Sequence, residues 1–248
     1  MSLSHDELIY MAKITEQTER FDDMLGYMKK VLDAKTDLSV EERNLLSVAY
    51  KNSVGSRRTA WRVISAIETK EEAKDSKSLP LLRQYKANIE QELHSICDEI
   101  IALLDSKLIP TAKGNPKSEV FYLKMKGDYY RYIAEFASGD KHKKAADNAF
   151  AAYSSANQLA NDSLATTDPI RLGLALNFSV FYYEVRNDPK QACQLAKQAF
   201  DDAIAEIEKI EEEDYKDSTT IMQLIRDNLT LWTTELEQGE DAGDNEDD

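Results

Sequence analysis

The sequence predicts an all-α protein, and three observations lead there. Gly and Pro number only 8 and 5 in 248 residues, whereas Ala, Leu, Glu, Lys and Gln abound, a composition that suits helices and opposes a sheet-based fold. Helix-start signals recur along the whole chain. The breaks between helical stretches are short, which favours antiparallel neighbours stacked around a core.

The elements follow in order from those signals. Ser4 with Glu7, and Ser39 with Glu42, fit the capping box that satisfies orphan amides at a helix start. Asn115-Pro116, Asp168-Pro169 and Asp188-Pro189 each place a capping side chain before a proline at the first helical position, where the missing N–H costs nothing. Breaks near Thr18, Ser76 to Pro80, Gly139-Asp140 and Glu211 to Asp214 complete a division into about nine helices, with 40–72 and 80–108 the longest. A hydrophobic content of 42% suffices for a core. One helical domain is expected over 1–236. The segment 237–248, EQGEDAGDNEDD, has no basic or aromatic residue and is expected to be disordered.

Charge and composition exclude several functions. The formal net charge is -15, and the seven acidic residues of the last dozen leave -8 for residues 1–236. Such a body repels the backbone of nucleic acids. Cys97 and Cys193 lack CxxC spacing and sit in apolar helical patterns, which suits buried, reduced thiols. The N-terminus, MSLSHDELIYMAK, lacks the regions of a signal peptide, and no apolar run approaches the roughly 20 residues of a membrane helix. The expected location is the cytoplasm, with access to the nucleus.

A discrete basic pocket within an acidic body is a different matter. Lys51 and Arg58, seven residues apart in a helical stretch, share one face, and Arg131 and Tyr132 come from a second helical stretch. If the two helices pack side by side, the four groups cradle one phosphate. Taken alone, each of these residues better suits solvated surface, where most charged residues lie. Asn177, Val180 and Glu184 form one helical stripe, and Ile221, Leu224, Asn228 and Leu231 another. The asparagine in each stripe needs partners and can bond an extended peptide backbone.

Four stretches resemble the 14-3-3 family of phosphoserine and phosphothreonine adaptors. These are RNLLSVAYKNSVGSRRTAWR (43–62), VFYLKMKGDYYRYIAEFASGD (120–140), PIRLGLALNFSVFYYEVRNDP (169–189) and YKDSTTIMQLIRDNLTLWTT (215–234). The resemblance runs from the first helix to about Glu235. It implies a cup of nine helices with an amphipathic groove, in which Lys51, Arg58, Arg131 and Tyr132 bind phosphate. Asn177 and Asn228 then hold the ligand main chain, with Lys124 on the polar side. Leu176, Val180, Ile221, Leu224 and Leu231 form the apolar wall. Trp232 is either core or, as the family suggests, bonded to Glu184 at the groove edge. The resemblance also implies a dimer built from the helices of residues 1–92, with Arg20, Asp23, Tyr85 and Glu92 at the interface and Arg20 pairing with Glu92 across it. Related subunits are possible heterodimer partners. The acidic tail is then either a solubilising segment or a weak competitor for the basic groove.

The chain departs from the family pattern in places. Ser53 and Ser56 replace apolar or small residues, and Thr59-Ala60 stands where a serine pair is usual, so Ala60 cannot carry a phosphoryl switch on the dimer. Asn88 occupies the place of a lysine that would face Asp23, which puts that second bridge in doubt. Thr220 replaces a leucine of the apolar wall.

Enzyme readings find little support. Asp22-Asp23 begins an aspartate-rich magnesium motif whose third aspartate would fall at Gly26. His5, His94 and His142 are the only histidines, and none follows a glutamate by three residues. No P-loop, GxGxxG or GxSxG sequence occurs. The expectation is a non-enzymatic adaptor without cofactor or metal, which binds phosphorylated client proteins. The alternative is a phosphate-independent scaffold of tetratricopeptide type, whose 34-residue recurrence is not found.

Overall fold

The computed structural model describes residues 3–243. It is all-α: α1 (His5–Gln17), α2 (Phe21–Ala34), α3 (Val40–Glu72), α4 (Leu79–Leu103), α5 (Ile109–Ala112), α6 (Pro116–Phe136), α7 (Gly139–Ser163), α8 (Pro169–Glu184), α9 (Pro189–Ala205) and α10 (Tyr215–Gly243). The one-turn α5 continues α4 through a π-helical turn at Leu104–Leu108, so the described residues hold nine long helices. That agrees with the number of helices read from the sequence.

The local signals act as their chemistry requires. Ser4 and Ser39 both form reciprocal capping boxes, with Glu7 and Glu42 returning the bond to the cap N–H. Asn115, Asp168 and Asp188 accept from the backbone of Ser118, Ile170 and Gln191 ahead of their prolines. Each such cap contributes about 1 kcal/mol.

The chain divides into two compact units, Met1–Ala112 and Lys113–Asp248, where the sequence suggested one domain over 1–236. In the first, α1, α2, α3 and α4 pack as successive neighbours. Met24, Met28, Leu46, Tyr50, Leu93 and Ile100 are fully buried there. In the second, α6 lies along α7, α8 along both, and α9 and α10 along α8. Ala145, Ala149, Ala152, Ala156 and Ala160 are the buried face of α7, and their small side chains let neighbouring helices come close. Tyr153, Phe178 and Phe181 form the aromatic part of that core, with Tyr153 stacked on Phe178 at 5.3 Å.

Two expectations are corrected. The helix α10 runs to Gly243, so residues 237–243 of the acidic segment are helical where disorder was expected. Nothing between Trp232 and Gln238 interrupts a helix anchored by packing, and Glu and Gln propagate it readily. The rest of that segment, 244–248, lies outside the described residues. Cys97 is buried, as read, but Cys193 is only half-buried, and both are free thiols. Burial pushes the Cys97 thiol up to about 12, which leaves it inert at neutral pH.

Among the described residues no helix is long and apolar enough to cross a membrane, and no group of three or more His, Cys, Asp or Glu is placed to hold a metal ion.

Candidate functional site

In the second unit a single buried carboxylate, Asp128, meets three of the residues picked out from the sequence, Lys124, Arg131 and Asn177. Asp128, one turn from both Lys124 and Arg131 on α6, accepts from Lys124 Nζ at 2.9 Å through Oδ2. Through Oδ1 it accepts from Asn177 Nδ2 of α8 at 2.8 Å and from the Tyr153 hydroxyl of α7 at 2.5 Å. The same tyrosine oxygen accepts from Arg131 Nε at 3.2 Å. Three helices, α6, α7 and α8, therefore meet in one polar network.

The charges in this network are compensated. Burial would push the Asp128 carboxyl up, but Lys124, Arg131 and the Tyr153 hydrogen bond hold it below the usual carboxylate range. Burial also works against the Arg131 cation, and Tyr153, Tyr132 and Asp128 outweigh it, so the guanidinium stays charged. Tyr153 is driven well above its ordinary value by burial and by Asp128, so it remains a neutral phenol that donates to the carboxylate.

Arg131 is held at one end only. Its Nε is bonded to Tyr153, and its guanidinium lies 4.8 Å from the centroid of the Tyr132 ring. The terminal nitrogens stand 3.7 Å from Asp128 Oδ1 and from Glu184 Oε2, ion-pair distances beyond a hydrogen bond. A guanidinium with its terminal nitrogens so placed can donate charge-assisted hydrogen bonds to an anion.

The apolar side lies on α8 and α10. Leu176, Val180 and Ile221 are half-buried against Leu172, Met222, Ile225 and Trp232, whereas Leu224 and Leu231 are 47% and 54% exposed. Asn228 is half-buried beside them on α10. Gly173 marks where the polar and apolar sides meet: a Cβ there would lie 3.7 Å from Lys124 and 3.9 Å from Ile221. At the departure Thr220, the hydroxyl donates back to Lys216 O and the side chain is exposed.

Trp232 is core. It is 3% exposed and stacks on Tyr183 at 4.8 Å, while Glu184 turns its carboxylate to Arg131. Of the two readings of Trp232, packing is the one this geometry supports, and Glu184 enters the site through Arg131 instead.

The first unit holds the other candidates. Lys51 is exposed and Arg58 half-buried on α3. Arg57, next to Arg58, is spent on its own chain: it donates to Asp22, Ser53 and Glu92 at 2.8 to 3.1 Å. Arg20 pairs with Asp23 one turn along α2, and Tyr85 is 58% exposed on α4. Within this single chain, then, Arg20 and Glu92 both have intrachain partners. Asn88 lines an open concavity with Arg57, Gln91 and Glu92.

The structure brings Lys124, Arg131, Tyr132, Asn177 and Glu184 together. Lys51 and Arg58 lie in the other unit. Sequence reasoning missed Asp128, Tyr153 and Gly127. Two signals could have found them: an acid at i+4 from Lys124 and i−3 from Arg131, and a glycine in mid-helix, where it costs about 1 kcal/mol unless something approaches closely. Something does, because a Cβ on Gly127 would sit 2.7 Å from the Tyr153 ring.

Comparison with known proteins shows the family. The family model described as 14-3-3 protein matches residues 11–233. A 14-3-3-like protein of Helianthus annuus is 58% identical over 240 residues, covering 95% of this chain and 92% of its own. The 14-3-3 family protein artA of Aspergillus flavus is 58% identical over 233 residues, covering 94% and 98%. The 14-3-3-like protein GF14 chi of Arabidopsis thaliana is 58% identical over 239 residues, covering 95% and 89%. The chain belongs to the 14-3-3 family. Nothing in these matches favours the tetratricopeptide alternative.

Proposed function

We propose that this protein is a non-enzymatic adaptor that binds extended segments of client proteins containing phosphoserine or phosphothreonine. The observation that carries this reading is Arg131, a buried cation fixed at Nε with both terminal nitrogens beyond hydrogen-bond distance of its carboxylate neighbours. A phosphoryl group brings about -1.5 to -2 charges and three acceptor oxygens to such a fork. Each charge-assisted bond contributes about 1.5 to 3 kcal/mol, and contributions within one cluster are not additive.

In this reading Lys51 and Arg58 join Arg131 and Tyr132 on the phosphate. Asn177 and Asn228 hold the peptide main chain on either side of it. The exposed Leu224 and Leu231, with Leu176, Val180 and Ile221, receive apolar side chains that flank the phosphoresidue. Membership of the family supports client binding and dimer formation in general. The finer reading is a cytoplasmic homodimer, or a heterodimer with related subunits, in which Arg20, Asp23, Tyr85 and Glu92 meet the partner. Two grooves per dimer let two linked phosphosites bind with avidity, so the protein clamps, masks or bridges clients without modifying them.

A calorimetric titration with matched phosphorylated and unphosphorylated peptides tests this reading. Heat of binding is expected for the phosphorylated peptide alone. Equal affinity for both would point to a phosphate-independent scaffold.

A further inference from the structure

Tyr153 is fully buried on α7, and its hydroxyl is the only group within hydrogen-bond distance of the Arg131 side chain among the described residues. From its sequence position it reads as plain core: it falls in the alanine-rich face of α7 and stacks on Phe178. A phenylalanine would serve that packing equally well. The hydroxyl needs another explanation, because burying it costs free energy unless it is bonded.

Its bonds supply one. The oxygen sits between Arg131 Nε and Asp128 Oδ1, accepting from the first and donating to the second. The ring is clamped as well, since its atoms lie where a Cβ on Gly127 would be, and only a glycine leaves it room. Arg131 Nε is therefore bonded to the hydroxyl of a ring packed closely against Gly127 and stacked on Phe178. The carboxylate that completes the relay also holds Lys124 and Asn177.

We propose that Tyr153, relayed through Asp128, is the positioning residue for phosphate recognition: its hydroxyl holds the Arg131 guanidinium by Nε and leaves the two terminal nitrogens for the ligand. This rests on the phosphate-binding reading above. A long arginine side chain otherwise loses up to about 2 kcal/mol of rotamer freedom when it meets a ligand, and fixing it beforehand removes that cost from the binding step. Tyr153 itself touches no ligand in this account. Burial and the nearby carboxylate keep the phenol neutral, so the relay operates over the whole physiological pH range.

The experiment is a double-mutant cycle on phosphoserine-peptide affinity. Tyr153→Phe removes one oxygen and keeps the ring stack. It is expected to weaken binding roughly tenfold, the effect of one hydrogen bond to a charged group. In an Arg131→Lys background, which has no Nε to hold, the same change is expected to shift affinity less than twofold. Equal losses in both backgrounds would show a general packing effect and overturn the proposal, as would wild-type affinity in Tyr153→Phe alone. A second readout uses the unaltered chain: the Arg131 Nε proton should exchange slowly with solvent by NMR without peptide, and fast exchange would equally overturn it. If the unaltered chain bound phosphorylated and unphosphorylated peptides alike, the functional reading itself would fall. Phosphate-dependent binding that is indifferent to the Tyr153 hydroxyl removes only the positioning role.

Discussion

Two arginines, one in each unit, are surrounded by the same set of groups and differ in what is left of them. Arg57 is met by the carboxylates of Asp22 and Glu92 and the hydroxyl of Ser53, and Arg131 by those of Asp128 and Glu184 and the hydroxyl of Tyr153. Around Arg57 the bonds are 2.8 to 3.1 Å, and Nε, Nη1 and Nη2 are all engaged. Around Arg131 only Nε is bonded, and the carboxylates stand off at 3.7 Å. The partners differ too. Asp22 and Glu92 side chains are 64% and 55% exposed, whereas Asp128 is 10% exposed. One cluster is a surface brace between helices, and the other is a buried frame that leaves donors unused. Counting charges would not separate them.

The comparison predicts unequal responses to mutation. The largest concerns Asp128→Ala, which strands the Arg131 and Lys124 cations and the Tyr153 and Asn177 donors in a buried site. It should cost about 3 to 5 kcal/mol in a denaturant melt, as breaking a buried ion pair does. A loss as small as that of a surface pair would mean that water reaches the network freely. Next is Gly127→Ala, which drives a methyl into the Tyr153 ring. Overpacking there should cost about 1 to 3 kcal/mol of stability, and phosphopeptide affinity should fall with it. Alanine tolerated without either effect would show that the ring is not clamped.

Acid sharpens the contrast further. Lys124 and Arg131, against the opposing effect of burial, hold the Asp128 carboxyl below its usual range, so its contribution is present above the unfolded value of about 3.9 and is lost as pH falls through the folded value. Stability should therefore fall increasingly below about pH 4, and less steeply in Asp128→Asn. Asp22, held low chiefly by Arg57, acts in the same direction. The smallest effect is expected at Asp22→Asn: about 1 kcal/mol or less for so exposed a pair, fading at high salt. A loss that ignores salt would place that pair in the buried class.

The helices were legible because their starts are local. Ser39 with Glu42, or Asp168 ahead of Pro169, needs only its own neighbours to act, and both cap as read. The end of α10 was not legible, because composition marks 237 onward as solvated without saying where a packed helix stops propagating. Arg131 and Tyr132 are legible through resemblance, since spacing alone favours solvated surface for them, and Asn177 also through its place in a helical stripe. Asp128 and Tyr153 escaped for another reason. Their meaning lies in contacts 25 and 49 residues apart along the chain, and periodicity makes Tyr153 one more core position. Trp232 shows the converse: the sequence leaves core and a bond to Glu184 open alike, and the stack on Tyr183 supports core.

The most direct test of the phosphate clamp is the phosphopeptide affinity of an Arg58→Ala, Arg131→Ala double variant, with circular dichroism to follow its helices. The clamp predicts a loss of at least ~2 kcal/mol relative to the unaltered chain. Affinity equal to that of the unaltered chain would contradict it.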